Sequence, residues 1–130
     1  MNKDECGIMI VDDSDFSRNQ ISRIVDELGY RVVGEASHAK EAIKLVSLKK
    51  PKIVIIDVIM PEISGIELAE SITENFKDVR LILISSLAQD NIIIDAIGAG
   101  ANDFIQKPIT PQILENSLEK QRESFSSTDG

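Results

Sequence analysis

The residues in this sequence best placed for chemistry are three carboxylates, a hydroxyl and a lysine, each standing at or near the end of a short aliphatic run. IMIV at 8–11 leads into Asp12 and Asp13, IVII at 53–56 into Asp57, and LILI at 81–84 into Ser85 and Ser86. Phe104 and Ile105 are followed, one residue on, by Lys107 and Pro108. A lone aspartate after a strand most often caps the next helix. Three brought to one place repel one another unless a cation sits among them, and hard oxygen ligands with open positions suit Mg²⁺. Cation binding is therefore the first chemistry to expect, provided the fold gathers these residues.

Such gathering needs parallel strands that end side by side. Strands are predicted at Ile8–Val11, Val32–Ala36, Ile53–Ile56, Leu81–Ile84 and Phe104–Ile105, alternating with helix-period stretches, which is the pattern of βαβ units. Three of the five runs are almost wholly apolar, as strands buried on both faces of a parallel sheet must be. The helices carry one apolar face each: Ile21, Ile24, Val25 and Leu28, closed by Gly29; Ala39, Ala42, Ile43 and Val46; Leu68, Ala69, Ile72 and Phe76. A fourth runs from about Asn91 to Ala99, and a fifth opens at Thr110-Pro111 and continues through Leu114, Ser117 and Leu118. Open α/β sheets hold their ligands outside the carboxyl ends of the strands, where Asp12, Asp13, Asp57, Ser85 and Lys107 all fall.

The 130 residues, 42% of them hydrophobic and 28% charged, describe one domain with enough core to fold without disulfides. The single cysteine, Cys6, can form no bridge within the chain and points to a reducing, cytoplasmic setting. Asp and Glu number 22 against 14 Lys and Arg, a formal charge of −8, so nucleic acid and anionic membranes are expected to be repelled. The start of the chain reads as neither a signal peptide nor a span. After Glu123 the periodicity is lost, and a domain over 1–123 with a polar tail at 124–130 is expected.

The segments IVDD at 10–13, IIDVIMP at 55–61 with Gly65 beyond it, LISS at 83–86 and FIQKP at 104–108 resemble the receiver domain of two-component response regulators. DDxxFxR from Asp12 to Arg18, GEA at 34–36 and AIGAGANDFIQKP at 96–108 are further similar to chemotaxis response regulators of the CheY type. The resemblance implies a flavodoxin-like, doubly wound (βα)5 fold with strand order 2-1-3-4-5. It also implies that Asp57 accepts a phosphoryl group from a histidine kinase. Asp13 and an Asp57 oxygen would hold Mg²⁺ directly, with the Ile59 backbone carbonyl, and Asp12 largely through water. Lys107 would supply a second, mobile positive charge and Ser85 a hydroxyl for the phosphoryl group, while the small Ser86 leaves it room. The chain would be a monomeric signalling switch, not a turnover enzyme, with an output protein such as a flagellar motor switch as partner. A receiver of a non-chemotaxis phosphorelay, or the receiver end of a longer protein, has the same motifs, and a purely docking domain fits the pattern too.

Related chemistries fit less well. Asp12 and Asp13 would repel the phosphate of a flavin, a haloacid-dehalogenase-type phosphatase would need an acid where Ile59 stands, and the glycines and lysine of a P-loop are missing. The resemblance further implies a cis bond at Lys107–Pro108. By the same resemblance Ile59 and Leu87, two residues beyond Asp57 and Ser85, would border the path of an attacking water; both are apolar, so a long-lived phosphorylated form and a dedicated phosphatase are expected. Ile92, Ile93 and Ile94 sweep about 200° of a helix, so at least one must meet solvent. Ile93 and Ile97, with Gln106 and with Phe104, which the resemblance implies is an aromatic switch, are the expected docking face. His38, Cys6 and the lysines at 49, 50 and 52 are expected to be, in turn, a surface residue, inert packing and a solvated turn.

Overall fold

A computed structural model describes residues 1–126. A 3₁₀ turn at Lys3–Glu5 precedes β1 (Ile8–Val11), α1 (Asp15–Glu27), β2 (Val32–Ala36), α2 (Ala39–Lys49), β3 (Ile53–Asp57), α3 (Gly65–Asn75), β4 (Arg80–Ser85), α4 (Asp90–Gly98), β5 (Asp103–Gln106) and α5 (Pro111–Ser126). The strands form one sheet in the order β2-β1-β3-β4-β5, and every neighbouring pair is parallel. This is the flavodoxin-like topology that the resemblance implied. The three nearly all-apolar runs are the three inner strands, and the two more polar ones lie at the edges.

Because side chains alternate along a strand, each inner strand feeds two cores at once. Met9, Val11, Val54, Ile56, Leu81 and Leu83 join Ala42 and Val46 of α2, Leu68 and Ile72 of α3 and Ala96 of α4. Ile8, Ile10, Ile53, Ile55, Ile82 and Ile84 join Ile21, Ile24 and Val25 of α1 and Leu114 and Leu118 of α5. No helix among the described residues is long and apolar enough to cross a membrane.

Pairing runs further than the apolar pattern. β3 continues through Asp57, opposite Ile84, and β4 through Ser85, opposite Gln106. Each of these candidate residues is therefore the last residue of a strand. At the end of α1, Gly29 adopts φ +91°, the left-handed conformation expected after a helix. Gly65 serves close approach instead. Its N–H donates to the Val58 carbonyl at 2.8 Å, which brings the start of α3 hard against the end of β3.

The last helix runs past Glu123. Helix α5 runs on to Ser126, and Phe125 is buried in the α1/α5 core with Arg80 at 4.3 Å and Lys52 at 5.6 Å from its ring centre. Those two cations reach Phe125 from the amino ends of β3 and β4, a contact that cannot be seen in the polar string ESFSS. Residues 127–130 of the expected tail lie outside the described residues. Lys52 is consequently more than part of a solvated turn, whereas Lys50 closes α2 in a left-handed conformation. His38 is exposed, as expected, but it also caps α2, its Nδ1 accepting the Glu41 N–H at 3.3 Å. Cys6 is buried and free, and burial pushes its thiol up to about 11, which keeps it unreactive.

Candidate functional site

At the carboxyl edge of the sheet, Asp12, Asp57, Ser85 and Lys107 stand together. Asp12 and Ser85 are fully buried, Asp57 is 6% exposed and Asp13 faces solvent. Ligand oxygens of Asp12, Asp13 and Asp57 lie within 4.8 Å of one another. The Lys107 Nζ donates to Asp57 Oδ2 at 2.9 Å and to Asp12 Oδ2 at 3.3 Å. The Lys107–Pro108 bond is cis.

Each group is held by its own short stretch of chain. Asp12 continues the β1 pairing through its N–H to Ala36, and its Oδ1 accepts the Ser14 N–H at 2.9 Å. Ser14 in turn caps α1 by accepting the Ser17 N–H. Arg18 clamps the turn from the other side, donating to the Asp12 carbonyl at 2.7 Å while pairing with Asp15 and Glu35. Ile59 enters through its backbone, its N–H reaching Asp57 Oδ1 at 3.0 Å, so the Ile59 peptide lies beside that carboxylate. The Ser85 Oγ accepts the Leu87 N–H at 3.0 Å, and no described group takes the hydroxyl proton.

The electrostatics are those of a buried pair kept in balance. Burial pushes the Asp57 carboxyl above its usual range, an effect the Lys107 hydrogen bond and the Ile59 N–H partly offset and the Asp12 charge increases. Burial alone would lower the Lys107 ammonium, but the hydrogen bond and charge of Asp57, with Asp12, outweigh it and raise Lys107 above the ordinary lysine value. Asp57 therefore stands as a buried carboxylate with a cation at one oxygen, next to two further carboxylates. Three oxygens so close, one on an open side chain, suit a hard divalent cation such as Mg²⁺.

Phe104 is half-buried and packs on the core beneath α4. Gln106 is exposed at the end of β5, and Ser86 is exposed beside Ser85. On α4 Ile93 of the expected stripe is partly exposed, while Ile97 and its neighbour Ile94 are 63% and 66% exposed. Ile92, Ala96 and Ala99 point at the core, and at 100° per residue the opposite side belongs to Ile94, with Ile97 next to it and Ile93 on the flank. Sequence reasoning missed Ser17, which touches both Asp12 and Lys107, and assigned no role to Arg18, although both lie inside the DDxxFxR segment.

Comparison with known proteins agrees with this geometry. The response regulator receiver domain family matches residues 8–119. The chemotaxis protein CheY of Thermotoga maritima is 38% identical over 113 residues, which cover 87% of this chain and 94% of that one. CheY of Bacillus subtilis is 36% identical over 113 residues, covering 87% of this chain and 94% of that protein. Among solved structures, a CheY-like response regulator receiver domain protein from Methanospirillum hungatei superposes with a TM-score of 0.85 at 26% identity, over 94% of this chain and 98% of that one. The CheX-CheY-BeF3-Mg complex from Borrelia burgdorferi contains a chain matched with a TM-score of 0.80 at 29% identity, over 92% of this chain and 88% of the other. With its five-stranded sheet, the acidic cluster and lysine at its carboxyl edge, and a family match over residues 8–119, this chain belongs to the response regulator receiver domain family.

Proposed function

We propose that this protein is a phosphoacceptor switch of a two-component system, with Asp57 as the acceptor. The observation that carries this role is the buried Asp57 carboxylate held at 2.9 Å by Lys107 between Asp12, Asp13 and Ser85. An Asp57 oxygen attacks the phosphorus of a phosphohistidine on a partner kinase. The new O–P bond forms as the P–N bond breaks, and its electron pair stays with the departing imidazole. Lys107 meets the charge that spreads over the phosphoryl oxygens, and Ser85 donates its hydroxyl proton to one of them. Asp13 and Asp57, with the Ile59 carbonyl, would hold Mg²⁺ directly and Asp12 through water; once bound, the ion supplies further neutralisation of phosphoryl charge.

Such a protein turns nothing over beyond its own phosphorylation and slow dephosphorylation, so it acts as a switch in the cytoplasm and not as a metabolic enzyme. Chemotaxis is the pathway we assign, supported by the CheY relatives, with a flagellar motor switch as the output partner. In that output step Ser85 is drawn toward the phosphoryl group, Phe104 turns inward, and the α4 surface around Ile97 and Ile94 shifts toward the binding state.

Replacing Asp13 with alanine is expected to remove the rise in melting temperature that Mg²⁺ produces in the parent, since an ion that binds only the native state stabilises it. Equal shifts in both proteins would remove Asp13 from the metal site. A second outcome concerns the lifetime of the phosphorylated form. Ile59 and Leu87 are 53% and 44% exposed, and their backbone N–H groups donate to Asp57 and Ser85, so both stand next to the site and outside the core. The double variant Ile59→Asn/Leu87→Glu, which places polar groups where an attacking water passes, is expected to lose phosphate about tenfold faster. Unchanged decay would mean that these side chains do not govern access. A slow parent rate calls for a dedicated phosphatase, and the Borrelia CheY captured with a second protein, CheX, supports a partner of that kind.

A further inference from the structure

We infer that Ser17 is a positioning residue that assigns Asp12 to Lys107 and leaves Asp13 and Asp57 to the cation. This rests on the phosphoacceptor role proposed above and adds a residue to it. Ser17 lies in the first turn of α1, and its Oγ donates to Asp12 Oδ2 at 2.7 Å while accepting from Lys107 Nζ at 3.1 Å. An ammonium has three protons, and here three acceptors take them: Asp57 Oδ2, Ser17 Oγ and Asp12 Oδ2. Lys107 is thereby tied on one side to the acceptor carboxylate and on the other to a hydroxyl and carboxylate that the reaction leaves untouched.

Two consequences follow for the site. Asp12 has Oδ1 taken by the Ser14 N–H and Oδ2 taken by Ser17 and Lys107, so this buried carboxylate is already compensated before any cation arrives. Asp13, exposed, keeps its oxygens for the ion. When Asp57 becomes an acyl phosphate its own carboxylate charge is lost, and that oxygen's hold on Lys107 weakens. The ties to Ser17 and Asp12 then keep the ammonium in the site, within reach of the phosphoryl oxygens. Without Ser17 the lysine loses one of three anchors, and Asp12 loses a donor and becomes a better ligand for Mg²⁺.

The test uses the full chain with Ser17→Ala and Ser17→Thr. At saturating Mg²⁺, Ser17→Ala is expected to be phosphorylated by acetyl phosphate about tenfold more slowly, as befits one lost hydrogen bond to a charged group. Titration calorimetry of the unphosphorylated variant is expected to show Mg²⁺ binding tightened about threefold, because a competing donor has gone. Threonine keeps the hydroxyl, and its methyl group has room in the open cleft that Ser17 lines with Phe16, Gln20 and Pro108, so both values should return to those of the parent. Should Ser17→Ala fail to fold, Ser17→Cys, similar in size and a poor donor, is expected to show the same two shifts. Parent-like values in the alanine variant would overturn the inference. So would a joint fall in rate and affinity that threonine does not restore, the mark of lost packing alone. If the parent itself is not labelled on Asp57, the phosphoacceptor role fails, and the Mg²⁺ titration still decides whether Ser17 governs Asp12.

Discussion

Replacing Lys107 with methionine is expected to slow phosphorylation of Asp57 by acetyl phosphate about 100- to 1,000-fold, the usual cost of removing one preorganised donor from a site of developing charge. Methionine keeps the length and apolar stem of lysine and removes only the ammonium. The same change leaves two buried carboxylates, Asp12 and Asp57, without their shared cation. Breaking a buried pair costs about 3–5 kcal/mol, and with the Lys107 side chain a quarter exposed we expect about 2–3 kcal/mol at neutral pH without divalent cations. The pH dependence has a definite sign. Burial already raises the Asp57 carboxyl in the folded state, and losing Lys107 removes one of the influences that hold it down. A group whose folded pKa is raised contributes stability below its unfolded pKa and loses it as pH rises through the folded value. The deficit of Lys107→Met should therefore shrink as pH is lowered toward the ordinary carboxylate range. Labelling at the parent rate, or a deficit that grows on acidification, would show that Lys107 does not serve Asp57.

Gly65→Ala is expected to destabilise the protein by about 3 kcal/mol, at the upper end of what overpacking usually costs. A Cβ on Gly65 would lie 2.1 Å from the Asp57 carbonyl oxygen and 2.8 Å from the Val58 Cα. Both are backbone atoms at the carboxyl end of β3, so relief requires the strand end itself to move. Because Asp57 is that end, labelling should slow along with the loss of stability. Gly98 is the control: a Cβ there meets nothing within 4 Å, and alanine in this helical position should stabilise by roughly 0.5–1 kcal/mol. Chemical denaturation of both variants checks the pair, and equal stabilities for them would contradict the close approach at Gly65.

These two sites also show what kind of information a sequence carries. The acidic residues, Ser85 and Lys107 were legible because the apolar runs mark strands and a parallel sheet gathers strand ends at one edge. Strand order came from the resemblance, since alternation alone gives parallel units without saying which lie next to which. The rotation of α4 was not legible: Ile92, Ile93 and Ile94 are alike, and only the packing of Ala96 and Ala99 against the sheet turns Ile94 outward and Ile93 to the flank. Phe125 was hidden for a similar reason, standing in a polar string and buried by cations from β4 and from the residue before β3. Ser17 reads as an ordinary helix residue until Asp12 and Lys107, distant in sequence, are brought to its hydroxyl. Residues that act through neighbours on other elements leave no local mark.

Whether Asp57 accepts a phosphoryl group is decided by intact-mass measurement after incubation with acetyl phosphate and Mg²⁺. The parent should gain one phosphoryl group and Asp57→Asn none, while Asp57→Asn remains folded. A parent that gains nothing, or an Asp57→Asn variant labelled to the same extent, would contradict it.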